Sequence, residues 1–324
     1  MQERVIEKAA QLLESGACAR VLGWKTGEFF YDVTPAVFTS AQQVRQEMVF
    51  SPFCGANLSK YLIAESRKEG KVGVFLKPCD SFSFVQLQKE HRILRENVYA
   101  VGVQCQGMSD IEALKALGLR GITAVQAEED RLTVSTLYGE KTVAPEEALS
   151  LRCRGCKSRA LHDCDELIGD QGRDLDTDRF GEVARLEAMS PEERFAFWRS
   201  QLSKCIRCNA CRNVCPACSC EKCVFDDPNS GVQNKAAADP FEEDLFHIIR
   251  AFHVAGRCTD CGECTRVCPQ HIPLHLLNRK LIKDMNALYG PYQAGSDFDS
   301  KPPMLTFTQE DPEASIITEG RGIQ

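Results

Sequence analysis

No run in this sequence is long and apolar enough for a membrane span; the longest, such as Val72 to Leu76, fall far short of the ~20 residues a bilayer requires. No G-x-G-x-x-G follows a strand-like run and no G-x4-G-K-[ST] occurs, so neither a dinucleotide fold nor a P-loop is signalled. Direct NAD binding therefore calls for another subunit. Positive charge is short as well: 39 basic residues face 46 acidic ones, a formal net charge of −7. That balance, without a basic patch interleaved with aromatics, argues against nucleic acid or an anionic membrane as partner. A secretory leader is not expected either, because Met1 to Lys8 mixes both charge signs and reads as the start of an amphipathic helix. The expectation is a soluble, cytoplasmic chain without membrane insertion.

What the chain has is length for two domains, with 324 residues, 43% hydrophobic and 26% charged, which is ordinary globular composition. It also has 18 cysteines. In a reducing compartment such thiols serve metals rather than disulfides.

Cys205-x2-Cys208-x2-Cys211-x3-Cys215-Pro216 and Cys258-x2-Cys261-x2-Cys264-x3-Cys268-Pro269 are two copies of one motif, offset by 53 residues. Three thiolates at two-residue gaps wrap one corner of a 4Fe-4S cubane, and the fourth, before proline, is carried to the other cluster. The expected ligand sets therefore cross: Cys205, Cys208, Cys211 and Cys268 for cluster one, and Cys258, Cys261, Cys264 and Cys215 for cluster two. Zinc is the competing reading, but it usually takes two separated C-x2-C pairs. The offset exceeds what a compact bacterial ferredoxin needs. With both motifs and the helix that the insert between them carries into the second, about a third of the chain resembles the α-helical ferredoxin modules of heterodisulfide reductase and succinate dehydrogenase iron-sulfur subunits.

Upstream the pattern is βαβ. Residues 18–33 alternate around Lys25-Thr26-Gly27 as a hairpin would, helices are expected from about Ser40 and Asn57, and Lys71 to Leu76 and Asn97 to Val103 read as buried strands. Asp80 or Ser81 would cap a helix reaching about Arg95, and Ser109 to Leu117 a second; runs near 121–125 and 131–137 would extend the sheet. The predicted fold class is an α/β domain with a largely parallel sheet, followed by a mainly α-helical two-cluster ferredoxin domain. Its expected boundaries are 1–170 for the α/β domain, 171–190 for a linker, 191–290 for the ferredoxin domain and 291–324 for an extended tail. Ser190-Pro191-Glu192-Glu193 opens one helix of the second domain, and another starts near Pro240.

Cys79 and Cys105 each follow a predicted parallel strand, one βαβ repeat apart, on the sheet edge where ligands gather in open α/β folds. With Cys153-x2-Cys156 they make a third cluster site, against the alternative of thiols packed as small hydrophobes. Arg152, Arg154, Lys157 and Arg159 surround that pair, as counter-charge, as flavin-phosphate ligands or as a solvated face. Cys218-x-Cys220-x2-Cys223 sits behind Cys215; it either holds a further metal with Cys164 or another ligand, or stays unligated. Cys18 and Cys54 read as core. His247 and His253 read as helix-face or capping residues, and His271 as either a donor to a cluster sulfur or a solvent-facing side chain.

Lys77-Pro78-Cys79-Asp80, Val103-Gln104-Cys105 and Arg152-Cys153-Arg154-Gly155-Cys156, followed by Asp165, resemble the beta subunits of deazaflavin-coenzyme-dependent hydrogenases and formate dehydrogenases over residues 50–170. The resemblance implies FAD beside a 4Fe-4S cluster held by Cys79, Cys105, Cys153 and Cys156, and hydride exchange with the deazaflavin coenzyme. The expected function is that of an electron-transfer subunit of a multi-subunit oxidoreductase, passing electrons between a two-electron donor and one-electron clusters of formate dehydrogenase, hydrogenase or heterodisulfide-reductase-like partners. The alternative is a relay and docking subunit without flavin. A metal-stabilised regulator of nucleic acid is a third class, which the acidic balance disfavours.

Overall fold

The computed structural model describes residues 1–128, 131–227, 229–230 and 240–303. In the first half come α1 (Gln2–Glu14), β1 (Arg20–Thr26), β2 (Val33–Phe38), α2 (Ala41–Glu47), α3 (Leu62–Glu65), β3 (Val72–Leu76), α4 (Pro78–Lys89), β4 (Val98–Val103) and α5 (Ile111–Ala116). Then follow β5 (Ile122–Ala127), β6 (Leu132–Thr136), β7 (Gly139–Val143), α6 (Pro145–Ala148), α7 (Leu151–Arg154) and β8 (Glu166–Ile168). The second half is helical: α8 (Gly181–Glu187), α9 (Pro191–Leu202), α10 (Ala210–Asn213), α11 (Pro240–Val254), α12 (Glu263–Arg266) and α13 (His275–Tyr289).

The main sheet has the order β2-β1-β3-β4-β8. β1, β3, β4 and β8 run parallel, and β2 closes one edge antiparallel to β1; the hairpin turns at 27–32 and not around Lys25-Thr26-Gly27, so its second arm, Val33–Phe38, lies beyond the expected span 18–33. Every residue of β3 is buried, the pattern of a parallel strand covered on both faces. The runs at 121–125 and 131–137 do not extend this sheet; they form β5 and β6 of a separate antiparallel sheet with β7. The reason is local. Only four residues separate β5 from β6 in sequence, too few for a parallel return, which needs a crossover of a dozen or more, so the pair is antiparallel. β5 is also half exposed, unlike the buried strands of the main sheet. The last main-sheet position goes to β8, whose three residues are too few to show a period.

α4 differs from its expectation at both ends. Pro78 occupies its first turn, where a missing N–H costs nothing, and the Asp80 carboxylate accepts the Lys77 N–H at 3.2 Å. Cys79 thus stands inside the helix's first turn. The helix stops at Lys89, short of Arg95.

The apolar core of the first half runs from Val5 to Ile168. The helical half has a smaller one, with Leu202, Phe225, Phe246, Ile272 and Leu274 packed beside Cys211 and Cys264. Val183 and Leu186 of α8 pack with Leu276 of α13. Beyond α13 the chain returns to the first half: Gln293 and Ala294 are buried, and Lys89 donates to Ser300 O at 2.6 Å. The remainder of the predicted tail, 304–324, lies outside the described residues. No described helix is long and apolar enough to cross a membrane.

Candidate metal centres

The two cysteine motifs fold alike. In each, the residues at the third and fifth positions adopt left-handed backbone, Arg207 and Asn209 in one, Asp260 and Gly262 in the other, before the short helices α10 and α12. The loop turns tightly enough for the Arg207 N–H to reach Cys205 Sγ at 3.4 Å. Gly262 is required twice over. Its φ is +67°, and a Cβ there would lie 2.5 Å from the Cβ of Arg152.

Cys205, Cys208, Cys211 and Cys268 line one pocket. Cys258, Cys261 and Cys264 each feel the charge of Cys215. The fourth cysteine of each motif therefore stands with the other motif's three. A third group forms where Cys79, Cys153 and Cys156 line a pocket shared with Cys261, Arg179 and Gln293. Cys105 is close enough for its charge to act on Cys79 and to feel Cys153 and Cys156. Backbone donors face this group, from Gly107 N–H to Cys105 Sγ at 3.3 Å and from Met108 N–H to Cys153 Sγ at 3.4 Å. Among the described residues no His, Cys, Asp or Glu trio closes around a single ion. All-thiol groups with backbone N–H donors to sulfur are a donor set that fits iron-sulfur clusters.

Burial pushes the Cys105 thiol up to about 11 and the Cys264 thiol up to about 12, and lifts Cys79, Cys258 and Cys261 as well. Iron takes thiolates, so loading must release these protons. Each site has a buried cation to meet the resulting charge. Lys77, fully buried, donates to Asp80 Oδ2 at 2.7 Å and Ala56 O at 2.9 Å and lies over the Trp24 ring. Arg152 acts on Cys79, Cys153 and Cys261, and Arg250 on Cys211, Cys215 and Cys264.

Arg152 also joins the two halves. Its guanidinium donates to Glu263 Oε1 at 2.6 Å, to Cys261 O at 2.8 Å and to Gly55 O at 2.7 Å. Glu263 accepts the Asn57 N–H at 3.1 Å, and Ser83 and Thr259 share a hydroxyl contact of 2.8 Å. Asp260 is clasped by Arg179 and Arg279. This buried polar seam lies between the third group and the second motif. Of the other basic residues near Cys153 and Cys156, Arg154 donates to Leu149 O and Arg159 to Gln106 O, while Lys157 lines the shared pocket.

The Cys218 trio does not gather with Cys164. Cys164 packs against Gly102 of β4, whereas Cys218 makes a side-chain contact with Cys215 that draws the Cys215 thiol down from its ordinary range, and Cys220 is exposed. Lys60 bonds Cys218 O, and Arg92 bonds Ser219 O. Cys18 and Cys54 lie in the core. His247, expected on a helix face or as a cap, does lie on α11, but on its buried face, where Nε2 comes to 3.3 Å of Cys205 Sγ, a contact that sequence reasoning missed. Its position on α11 at helical spacing from Arg250 was the available signal. His271 is exposed.

Residues 201–272 match the family model of the 4Fe-4S dicluster domain, a span that takes in both motifs. The F420-dependent formate dehydrogenase subunit beta of Methanocaldococcus jannaschii is 26% identical over 353 residues, covering 91% of each chain. The F420-dependent formate dehydrogenase 1 subunit beta of Methanococcus maripaludis is 25% identical over 359 residues, covering 91% of this chain and 90% of that one. The chain is homologous to these beta subunits. A chain of the F420-reducing [NiFe] hydrogenase complex of Methanosarcina barkeri is a remoter likeness, with a TM-score of 0.39, 15% identity, and coverage of 63% of this chain and 90% of that one. The formate dehydrogenase beta-subunit homologues align along nearly their whole length, so the alignment spans the α/β half together with the cysteine motifs. They are subunits of oxidoreductases, and this chain is an iron-sulfur protein of the same descent.

Proposed function

We propose that the chain is the electron-transfer subunit of a multi-subunit oxidoreductase of the formate dehydrogenase or hydrogenase kind, joining a two-electron donor bound at the α/β domain to a one-electron path. In this reading Cys205, Cys208, Cys211 and Cys268 hold cluster one, Cys258, Cys261, Cys264 and Cys215 hold cluster two, and Cys79, Cys105, Cys153 and Cys156 hold a third. The observation that carries it is Cys261: a cysteine of the second motif lines the same pocket as Cys79, Cys153 and Cys156. Arg250 is acted on by cysteines of both motif sets, which supports reading the three groups as one series. Flavin, where bound, supplies the change from hydride to single electrons. The chain's own residues bury the path and place Lys77, Arg152 and Arg250 where negative charge accumulates.

A second reading, a relay without flavin, is favoured by one observation. Arg152, one of the four basic residues around Cys153 and Cys156 that could meet a flavin phosphate, is engaged by Glu263, Cys261 O and Gly55 O. Iron and flavin counted together on anaerobically purified protein decide between them. About twelve irons with one flavin support the first reading, about twelve with none support the relay, and about eight with none also remove the third cluster.

A further inference from the structure

One helix treats the two ferredoxin sites unequally. On α11, His247 is 2% exposed and Arg250 3% exposed. His247 Nε2 lies 3.3 Å from Cys205 Sγ, and among the described residues its Nδ1 has no hydrogen-bond partner. A ligating thiolate has no proton to give, so the ring must donate from Nε2 and keep Nδ1 bare. Arg250 donates from Nη2 to Cys211 O at 3.1 Å, while its charge acts on Cys211, Cys215 and Cys264, which belong to both sets. At the second site the Cys264 sulfur meets no imidazole: its side-chain contacts are Arg250 itself and, at longer range, an amide, Asn278 Nδ2 at 3.7 Å.

We propose that His247 sets the reduction potential of cluster one alone, through its Nε2–H bond to the Cys205 thiolate, and that Arg250 raises the potentials of both clusters. This rests on the two-cluster reading above. A donor to a ligand sulfur and a desolvated cation nearby both favour the form carrying the extra electron. No bond is made or broken: one electron arrives, and the proton stays on Nε2.

The test is an EPR-monitored redox titration of the full chain, purified without oxygen, with iron counted on every sample. His247→Leu should move one of the two ferredoxin-module signals to a more negative midpoint and leave the other in place. A tenfold loss of electron affinity would read as about 59 mV for one electron. His247→Gln, which keeps an N–H donor, should recover much of the shift, and Arg250→Met should lower both signals. Two unmoved signals in His247→Leu at full iron content, or two that move together, overturn the proposal. If that variant loses iron, the native protein labelled with 15N-histidine decides. Once reduced, it should show a hyperfine coupling from one ring nitrogen, and both cluster signals without that coupling overturn the proposal. Native protein with no iron in the module would remove the two-cluster reading together with this one, and the iron count identifies that case.

Discussion

Lys77 and Asp80 are both fully buried, three residues apart and on either side of Cys79. Removing one partner of such a pair leaves a buried charge without compensation. Lys77→Met should therefore cost about 3–5 kcal/mol in chemical denaturation. The double variant Lys77→Met/Asp80→Leu should recover part of that loss, less whatever the cap at Lys77 N–H contributes. Wild-type stability in the single variant would mean the pair does not hold this loop. The sequence made this stretch visible as Lys77-Pro78-Cys79-Asp80, because its members are adjacent. It did not make visible Arg152 with Glu263, or His247 with Cys205, because each pair is brought together only by tertiary folding.

Gly295 lies in the strap that follows α13. Its φ is +76°, and a Cβ there would fall 1.9 Å from Phe82 O, a backbone atom of α4 that cannot step aside. Gly295→Ala should lift the strap at a cost of about 1–3 kcal/mol, read as faster proteolysis beyond Tyr289; an unchanged cleavage pattern would count against a docked strap. Among the regular elements, β3 and β4 were legible because a fully buried parallel strand is a short unbroken apolar run. β5 and β6 were legible as strands but not as to their sheet, since periodicity carries no information about pairing partners. β8 left no trace. It is recruited by tertiary contact, with Asp165 N–H donating to Ala100 O at 2.8 Å just before it.

At the scale of the molecule, the two halves differ in what holds them together. The α/β half has an extended apolar core, whereas the helical half packs a few large side chains around its cysteines. Anaerobic chelation of iron should therefore abolish amide protection across 191–290 while the strands of the main sheet keep theirs. Equal loss in both halves would contradict this. Glu263→Gln should weaken the seam to Arg152 and split one calorimetric transition into two, a result that intact cooperativity would refute. The exchange of Cys215 and Cys268 between motifs bears on how such a chain is made. On the proposed ligand sets, the first-half cysteines are complete once Cys156 has left the ribosome, but no ferredoxin-module set closes until Cys264 has emerged, and cluster one waits for Cys268. Cofactor delivery would then follow the order of synthesis, and a nascent chain arrested between Cys215 and Cys258 would hold four ligand thiols, Cys205, Cys208, Cys211 and Cys215, with neither proposed set complete.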